Sequence, residues 1–179
     1  MNRFEHISPY ELSENPLGMI GRDWMLVSAA KDTDGELCGN DYNTMTASWG
    51  GVGVLWGKPV AFVFIRPERH TFAFTEESEY MTLSFFGGEK RDELTYCGRN
   101  SGRDTDKATE CSLTPVFERG ENGRSVYFDE AVTVLKLRKL YADDIKESAF
   151  LDTAPLSYYE KDGYHKMYVC EITDVLVRK

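Results

Sequence analysis

The chain has 179 residues, of which 41% are hydrophobic and 28% charged. That length fits one domain able to bury a full core, and the composition sets it apart from disordered chains. The net charge of −9 argues against a nucleic-acid partner, because a binding face would work against repulsion from the rest of the surface.

From the N-terminus, residues 1–6 lack the basic start and apolar stretch of a secretion signal, and no apolar run nears the roughly 20 residues of a bilayer span. A cytoplasmic protein with no membrane contact is the expectation. Ser8 followed by Pro9 and Glu11 reads as a capped helical start, stopped at Asn15-Pro16. Residues 24–30 form a short apolar run suited to a buried strand. Residues 32–41 read as a loop with a hairpin signal at Asp34-Gly35. A strand is expected over 43–48, broken by Gly50, Gly51 and Gly53. Residues 59–65, β-branched and aromatic, should form a central strand, and 81–86 another. The charged segment 89–99 is the most helix-like, ending near Gly98. Residues 101–107 read as a loop with a helical turn at its end, 118–123 as a turn, 126–141 as β-rich, and 167–177 as the last strand. Several strands without a βαβ rhythm argue for an antiparallel barrel in a single domain spanning 1–179.

Cys38, Cys97, Cys111 and Cys170 contain no C-x-x-C pair, so neither zinc nor dithiol chemistry has a signature, and free thiols in or near the core are expected. No metal site is read. The glycines at 50, 51, 53 and 57 do not spell G-x-G-x-x-G, since Trp56 stands where the third glycine belongs. His6, His70 and His165 are the only histidines and no G-x-S-x-G elbow accompanies them, so no nucleophilic triad is legible. No catalytic acid or base is assigned.

Two runs suit a small anionic aromatic ligand. Residues 43–51 are dense in small side chains, hydroxyls and backbone N–H groups that permit close approach. In Arg66-Pro67-Glu68-Arg69-His70-Thr71 two guanidinium groups stand three residues apart, with a fixed backbone between them and a hydroxyl behind. The plainer reading of the arginines is surface pairing with Glu68, Glu76 or Glu77. Ser101-Gly102-Arg103-Asp104-Thr105-Asp106-Lys107 would alone be a solvated loop entering a helix, with Arg99, Arg103 and Lys107 the best basic patch. Alone, His165 would be a structural histidine.

Taken together, N-x-M-T-x-S-W at 43–49, R-P-x-R-x-T at 66–71, S-G-R-D-x-D-K at 101–107 and Y-H-x-M-Y at 164–168 resemble the flavin reductase-like family, and their order and spacing span most of the chain. One departure is His70, where the family pattern holds an aromatic residue, often Tyr. The resemblance implies a mainly β fold, an FMN-binding split β-barrel: a six-stranded antiparallel Greek-key barrel with a few peripheral helices. It also implies a homodimer with FMN near the subunit interface. The cofactor residues it implies are Asn43, Met45, Thr46, Ala47, Ser48, Trp49, Arg66, Arg69, Thr71, Ser101, Gly102, Lys107 and His165. Lys107 would approach the phosphate or the flavin edge, and Arg103 and Asp104 would form a structural ion pair. Tyr158 and Tyr159 are left between covering the ring and lining a dimer seam.

The activity implied is a flavin reductase, moving a hydride from NADH or NADPH to flavin, with the electron acceptor left open. The alternative is a non-enzymatic FMN-binding electron carrier, flavoredoxin-like, without its own nicotinamide site. A fold retained without its flavin is disfavoured by the intact Arg66, Arg69, Ser101 and Lys107.

Overall fold

The computed structural model describes residues 3–31, 37, 39, 41–120 and 123–179. Cys38 and the Asp34-Gly35 hairpin signal lie outside these residues. The main sheet is antiparallel, in the order β3 (Tyr42–Ala47), β2 (Met25–Ala30), β6 (Tyr80–Phe85), β9 (Thr133–Asp144), β10 (Lys166–Arg178) and β5 (Lys58–Ile65). Those six strands make the expected barrel path. Two more extend it: β4 (Gly50–Leu55) beyond β5, and β1 (Phe4–Ile7) on the far end of β10. A separate hairpin pairs β7 (Pro115–Gly120) with β8 (Gly123–Phe128).

β2 reads as continuously apolar because both of its faces are covered. Met25, Val27 and Ala29 point into the barrel with Val63, Ile65, Leu83, Leu135 and Tyr168. Leu26 and Ala30, one residue out of phase, pack outside with Phe86, Leu94, Cys97, Val126 and Phe128. The helices α1 (His70–Glu77), α2 (Arg91–Arg99) and α3 (Lys107–Glu110) lie around this barrel, and α2 covers β3.

Most expected elements form, with differences. Ser8 caps a 3₁₀ turn at Pro9–Glu11 in a full capping box. The glycines at 50, 51 and 53 do not end the chain's strand structure. They build β4, because Phe62 on β5 lies against them: its carbonyl oxygen would stand 2.9 Å from a Cβ at Gly50, and its ring 3.8 Å from one at Gly51. Trp56 (φ 53°) and Gly57 (φ 70°) close the β4–β5 hairpin, a two-residue turn with both residues left-handed. Of the turn expected over 118–123, residues up to Gly120 and from Gly123 instead belong to β7 and β8, and residues 121 and 122 lie outside the described residues. β5 is an interior strand, one place from the edge.

Cys97, Cys111 and Cys170 are buried free thiols, the first two with sulfurs 3.7 Å apart. Among the described residues no helix is long and apolar enough to cross a membrane, and no group of three or more His, Cys, Asp or Glu is gathered as for a metal.

Candidate functional site

Two strands and one tight turn build the site. β3 ends the strand path, so along its outer side the backbone N–H and C=O groups have no ladder partner. Across the cavity from it, β5 puts Phe62 and Phe64 on one face and Val63 and Ile65 on the other, and Arg66 continues the first face. The chain then turns sharply, the Arg69 N–H donating to the Arg66 carbonyl at 3.0 Å, and Arg69 becomes the residue before α1. Pro67 holds φ through the turn. Both guanidinium groups are thereby delivered to one cavity of about 190 Å³, lined also by Met45, Thr46, Ala47, Ser48, Trp49, Phe64 and His165.

The two arginines are held differently. The Arg66 Nη2 donates to the Tyr158 carbonyl at 2.8 Å and its Nε to His165 Nε2 at 3.4 Å. Its Nη1 lies 2.7 Å from Asp162 Oδ2 without the alignment of a hydrogen bond, so that contact is Coulombic. The partner is therefore Asp162, and not Glu68, Glu76 or Glu77. Glu68 accepts from the Gly163 N–H, and Glu76 pairs with Lys166 and accepts from the Tyr168 hydroxyl. Arg69 is half-buried, and its guanidinium makes no hydrogen bond or ion pair among the described residues. Burial and the neighbouring Arg66 charge hold its pKa below the usual arginine value. It remains a cation at neutral pH. A desolvated, unpaired cation is costly unless something anionic satisfies it.

His165 is almost wholly buried, between Trp49, whose ring centroid is 5.3 Å away, and Tyr159, whose hydroxyl is 3.2 Å from Nδ1. Burial first, and then the Arg66 charge, push its pKa down to about 4, so it is neutral at pH 7. With Nε2 accepting from Arg66, the ring proton sits on Nδ1 and is directed at Tyr159. His70, the departure from the family pattern, packs edge-on against Phe74 at 5.2 Å. Burial, with Arg103, Lys107 and Lys31, lowers its pKa from the ordinary value, which favours the neutral ring.

The remaining expected residues gather along the other half of β3. A second cavity of about 290 Å³ is lined by Tyr42, Asn43, Thr44 and the 102–108 segment. Asn43 Nδ2 donates to the Thr71 hydroxyl at 2.7 Å, and a Cβ at Gly102 would sit 1.9 Å from Asn43 Oδ1. Gly102 is thus the residue that lets the 101–107 loop close on the Asn43 amide. Thr71, fully buried, acts by holding Asn43 and lines neither cavity. Ser101 accepts from the Arg103 N–H and shapes the loop. Lys107, also buried, donates to Thr44 O at 2.8 Å and Cys97 O at 2.9 Å, satisfying an edge carbonyl of β3. Burial lowers its pKa to about 8. Arg103 and Asp104 are exposed and form no ion pair among the described residues, so the structural pair expected there is absent. The Thr46 hydroxyl donates to the Leu94 carbonyl of α2, which leaves its backbone to face a ligand.

Sequence reasoning missed Phe64, although the period-two pattern of β5 sets it on the same face as Arg66. It also missed the aromatic wall from 145–165, which left no local signal apart from Tyr158-Tyr159.

Fold and site together define a β-barrel domain with a basic cavity against an edge strand. The chain belongs to the flavin reductase like domain family, whose sequence model matches residues 17–179. Its fold is similar to that of an FMN-binding domain of a flavin reductases-like enzyme from Shewanella baltica OS155, with TM-score 0.64, 16% identity, and coverage of 99% of this chain and 78% of that one. Flavoredoxin of Desulfovibrio vulgaris (Miyazaki F) is similar at TM-score 0.64 and 22% identity, over 94% of this chain and 76% of that one. A Streptomyces globisporus C-1027 NADH:FAD oxidoreductase, in complex with NAD and FAD fragments, is similar at TM-score 0.57 and 12% identity, over 88% and 74% of the two chains. Comparison with curated proteins found no match.

Proposed function

We propose that this chain binds FMN along β3 and its continuation to Trp49, and serves as a flavin oxidoreductase that accepts a hydride from NADH or NADPH. One observation carries the reading: the half-buried, unpaired Arg69 beside Arg66, in a cavity whose other wall is the Met45–Ser48 backbone. Those arginines suit a phosphate, as charge-assisted forked donors. The two cavities follow one another along the same strand, residues 42–44 lining one and 45–49 the other, as an elongated ligand of ring and phosphorylated chain requires. When bound, FMN would supply the two-electron redox chemistry.

The chain's own contribution is binding, orientation and shielding. Trp49, Phe64 and the neutral His165 present apolar ring surface, and the backbone of residues 46–48 presents hydrogen-bonding groups. Gly102 and Asn43 lock the loop behind the strand. The closeness of Arg66 and Arg69 raises the cost of leaving the cavity without an anion. No proton donor is assigned among the side chains, since His165 stays neutral at physiological pH.

Assembly as a homodimer belongs to the same reading. Val54, Trp56 and Tyr141 form an exposed apolar group beside the edge strand β4, a surface suited to a second copy. Light scattering coupled to size-exclusion chromatography should return twice the monomer mass.

The test is a visible spectrum of the protein after incubation with FMN and desalting, repeated anaerobically with NADH and then NADPH. Retained flavin bands that bleach with one nucleotide are expected. Retained bands that neither nucleotide bleaches would leave FMN binding intact and replace the reductase with an electron carrier. Failure to retain or to titrate FMN would overturn the assignment.

A further inference from the structure

On the far side of Trp49 lies a larger cavity, about 630 Å³, that the flavin reading does not use. Its walls are Trp49, Phe150, Pro155, Tyr158 and Tyr159, floored by the 143–146 stretch at the end of β9. We propose that this cavity is a binding site for a flat, uncharged aromatic compound of about two fused rings, and that it does not take a nucleotide or other anion. The proposal is independent of the flavin assignment.

Three observations support it. First, the aromatic walls are fixed in advance. Trp49 stands edge-on to Tyr158 at 5.1 Å and against His165 on its other side. Tyr159 stacks on Tyr164 at 4.6 Å, makes an edge contact with Phe150 at 5.9 Å, and lies under the Arg66 guanidinium at 5.5 Å. Walls already ordered by one another do not have to give up rotamer freedom when a ligand enters. Stacked and edge-to-face ring contacts then add to burial itself.

Second, the charges at the rim select against anions. The one cation lining the cavity, Lys146, is paired with Asp143 at 3.0 Å, and Asp143 also accepts from the Tyr141 hydroxyl at 3.1 Å. Asp144 adds a second carboxylate to the rim, so the lining is net negative. This is the reverse of the arginine cavity next door, where the cation is the unpaired group.

Third, four backbone donors of the lining are already consumed. The Asp144 N–H donates to Asp143 Oδ1, Ile145 N–H to the His165 carbonyl, Ala149 N–H to the Lys146 carbonyl and Phe150 N–H to the Glu147 carbonyl. The Tyr158 hydroxyl has no partner among the described residues, and Tyr158 is 61% exposed. It can supply a single hydrogen bond to a neutral oxygen substituent. An apolar cavity with one or two oriented polar groups is the usual make-up of a small-molecule site.

The experiment compares 2-naphthol with 2-naphthoate, two ligands that share the naphthalene ring and differ in charge, by titration calorimetry on the full chain. The neutral ligand should bind at one site, at least tenfold more tightly than the anion. Ala149→Trp, which fills the mouth, should weaken naphthol at least tenfold while leaving FMN affinity within twofold. Asp144→Asn, an exposed change that leaves the walls alone, should narrow the naphthol preference several-fold. Circular dichroism confirms that each variant is folded, and should Ala149→Trp fail to fold, the Asp144→Asn result decides alone. Equal binding of the two ligands, naphthol binding that saturating FMN abolishes, or a preference unmoved by Asp144→Asn would overturn the proposal. Loss of FMN binding with naphthol binding kept would instead overturn the flavin assignment and leave this one standing.

Discussion

Trp49 divides two cavities with opposite chemistry. On one side, the β5–α1 turn delivers Arg66 and Arg69 with only one ion-pair partner between them among the described residues. On the other, the 143–159 stretch brings Lys146 already neutralised, and its backbone donors already used. The size of a cavity does not predict what it binds; the charge left over after internal pairing does. Arg66 belongs to both sides, since its Nη2 holds the Tyr158 carbonyl of the aromatic wall while its Nε reaches His165.

That shared residue gives the strongest way to break the comparison. Arg66→Ala should weaken FMN binding at least tenfold, because a charge-assisted contact is worth about 1.5–3 kcal/mol, and should also loosen naphthol binding several-fold. Paired titrations of the two ligands check this. An effect confined to one ligand would show that the cavities are not coupled through Arg66.

His165 sharpens the comparison through pH. Its folded pKa of about 4 lies below the ordinary histidine value near 6.5. Between those values the unfolded chain binds a proton that the folded chain does not, so folding stability is lost as pH falls from 6.5 to 4. The loss attributable to His165 is about 3 kcal/mol. Urea unfolding of the wild type and His165→Gln at pH 7 and pH 4.5 should show a smaller acid loss in the variant. Equal losses in the two proteins would mean that the histidine is not buried neutral against Arg66.

The smallest effect concerns the second half of β3. A Cβ at Gly102 would collide with Asn43 Oδ1, and Asn43 is itself held by Thr71. Gly102→Ala should cost about 1–2 kcal/mol of stability, as overpacking does, and weaken FMN binding only modestly. A naphthol titration of the same variant should be unchanged, since the aromatic cavity shares no residue with this loop.

Much of this was legible in the sequence. The strands β2, β3, β5, β6 and β10 follow from short β-branched and apolar runs, and Ser8 marks its helical turn as an N-cap should. Met45–Trp49, Arg66, Arg69 and His165, far apart in the chain, do line one cavity. The misses have physical causes. β4 hid behind three glycines, because its stability comes from Phe62 and the β5 ladder and not from its own side chains. Lys107 lines the second cavity, and its ammonium also holds the Thr44 and Cys97 carbonyls, contacts between segments far apart in the chain that no local pattern records. The aromatic cavity joins Trp49 to residues about a hundred positions later, and no local periodicity records such a meeting.

The most direct test of the central claim is an affinity ratio. FMN and riboflavin differ only by the phosphate, so titrating each into the wild type and Arg69→Ala isolates the contact between that phosphate and the unpaired guanidinium. The account predicts that wild type prefers FMN at least tenfold and that Arg69→Ala cuts that ratio several-fold, the remainder resting on Arg66. Equal affinities in the wild type, or a preference unmoved by the loss of Arg69, would contradict it.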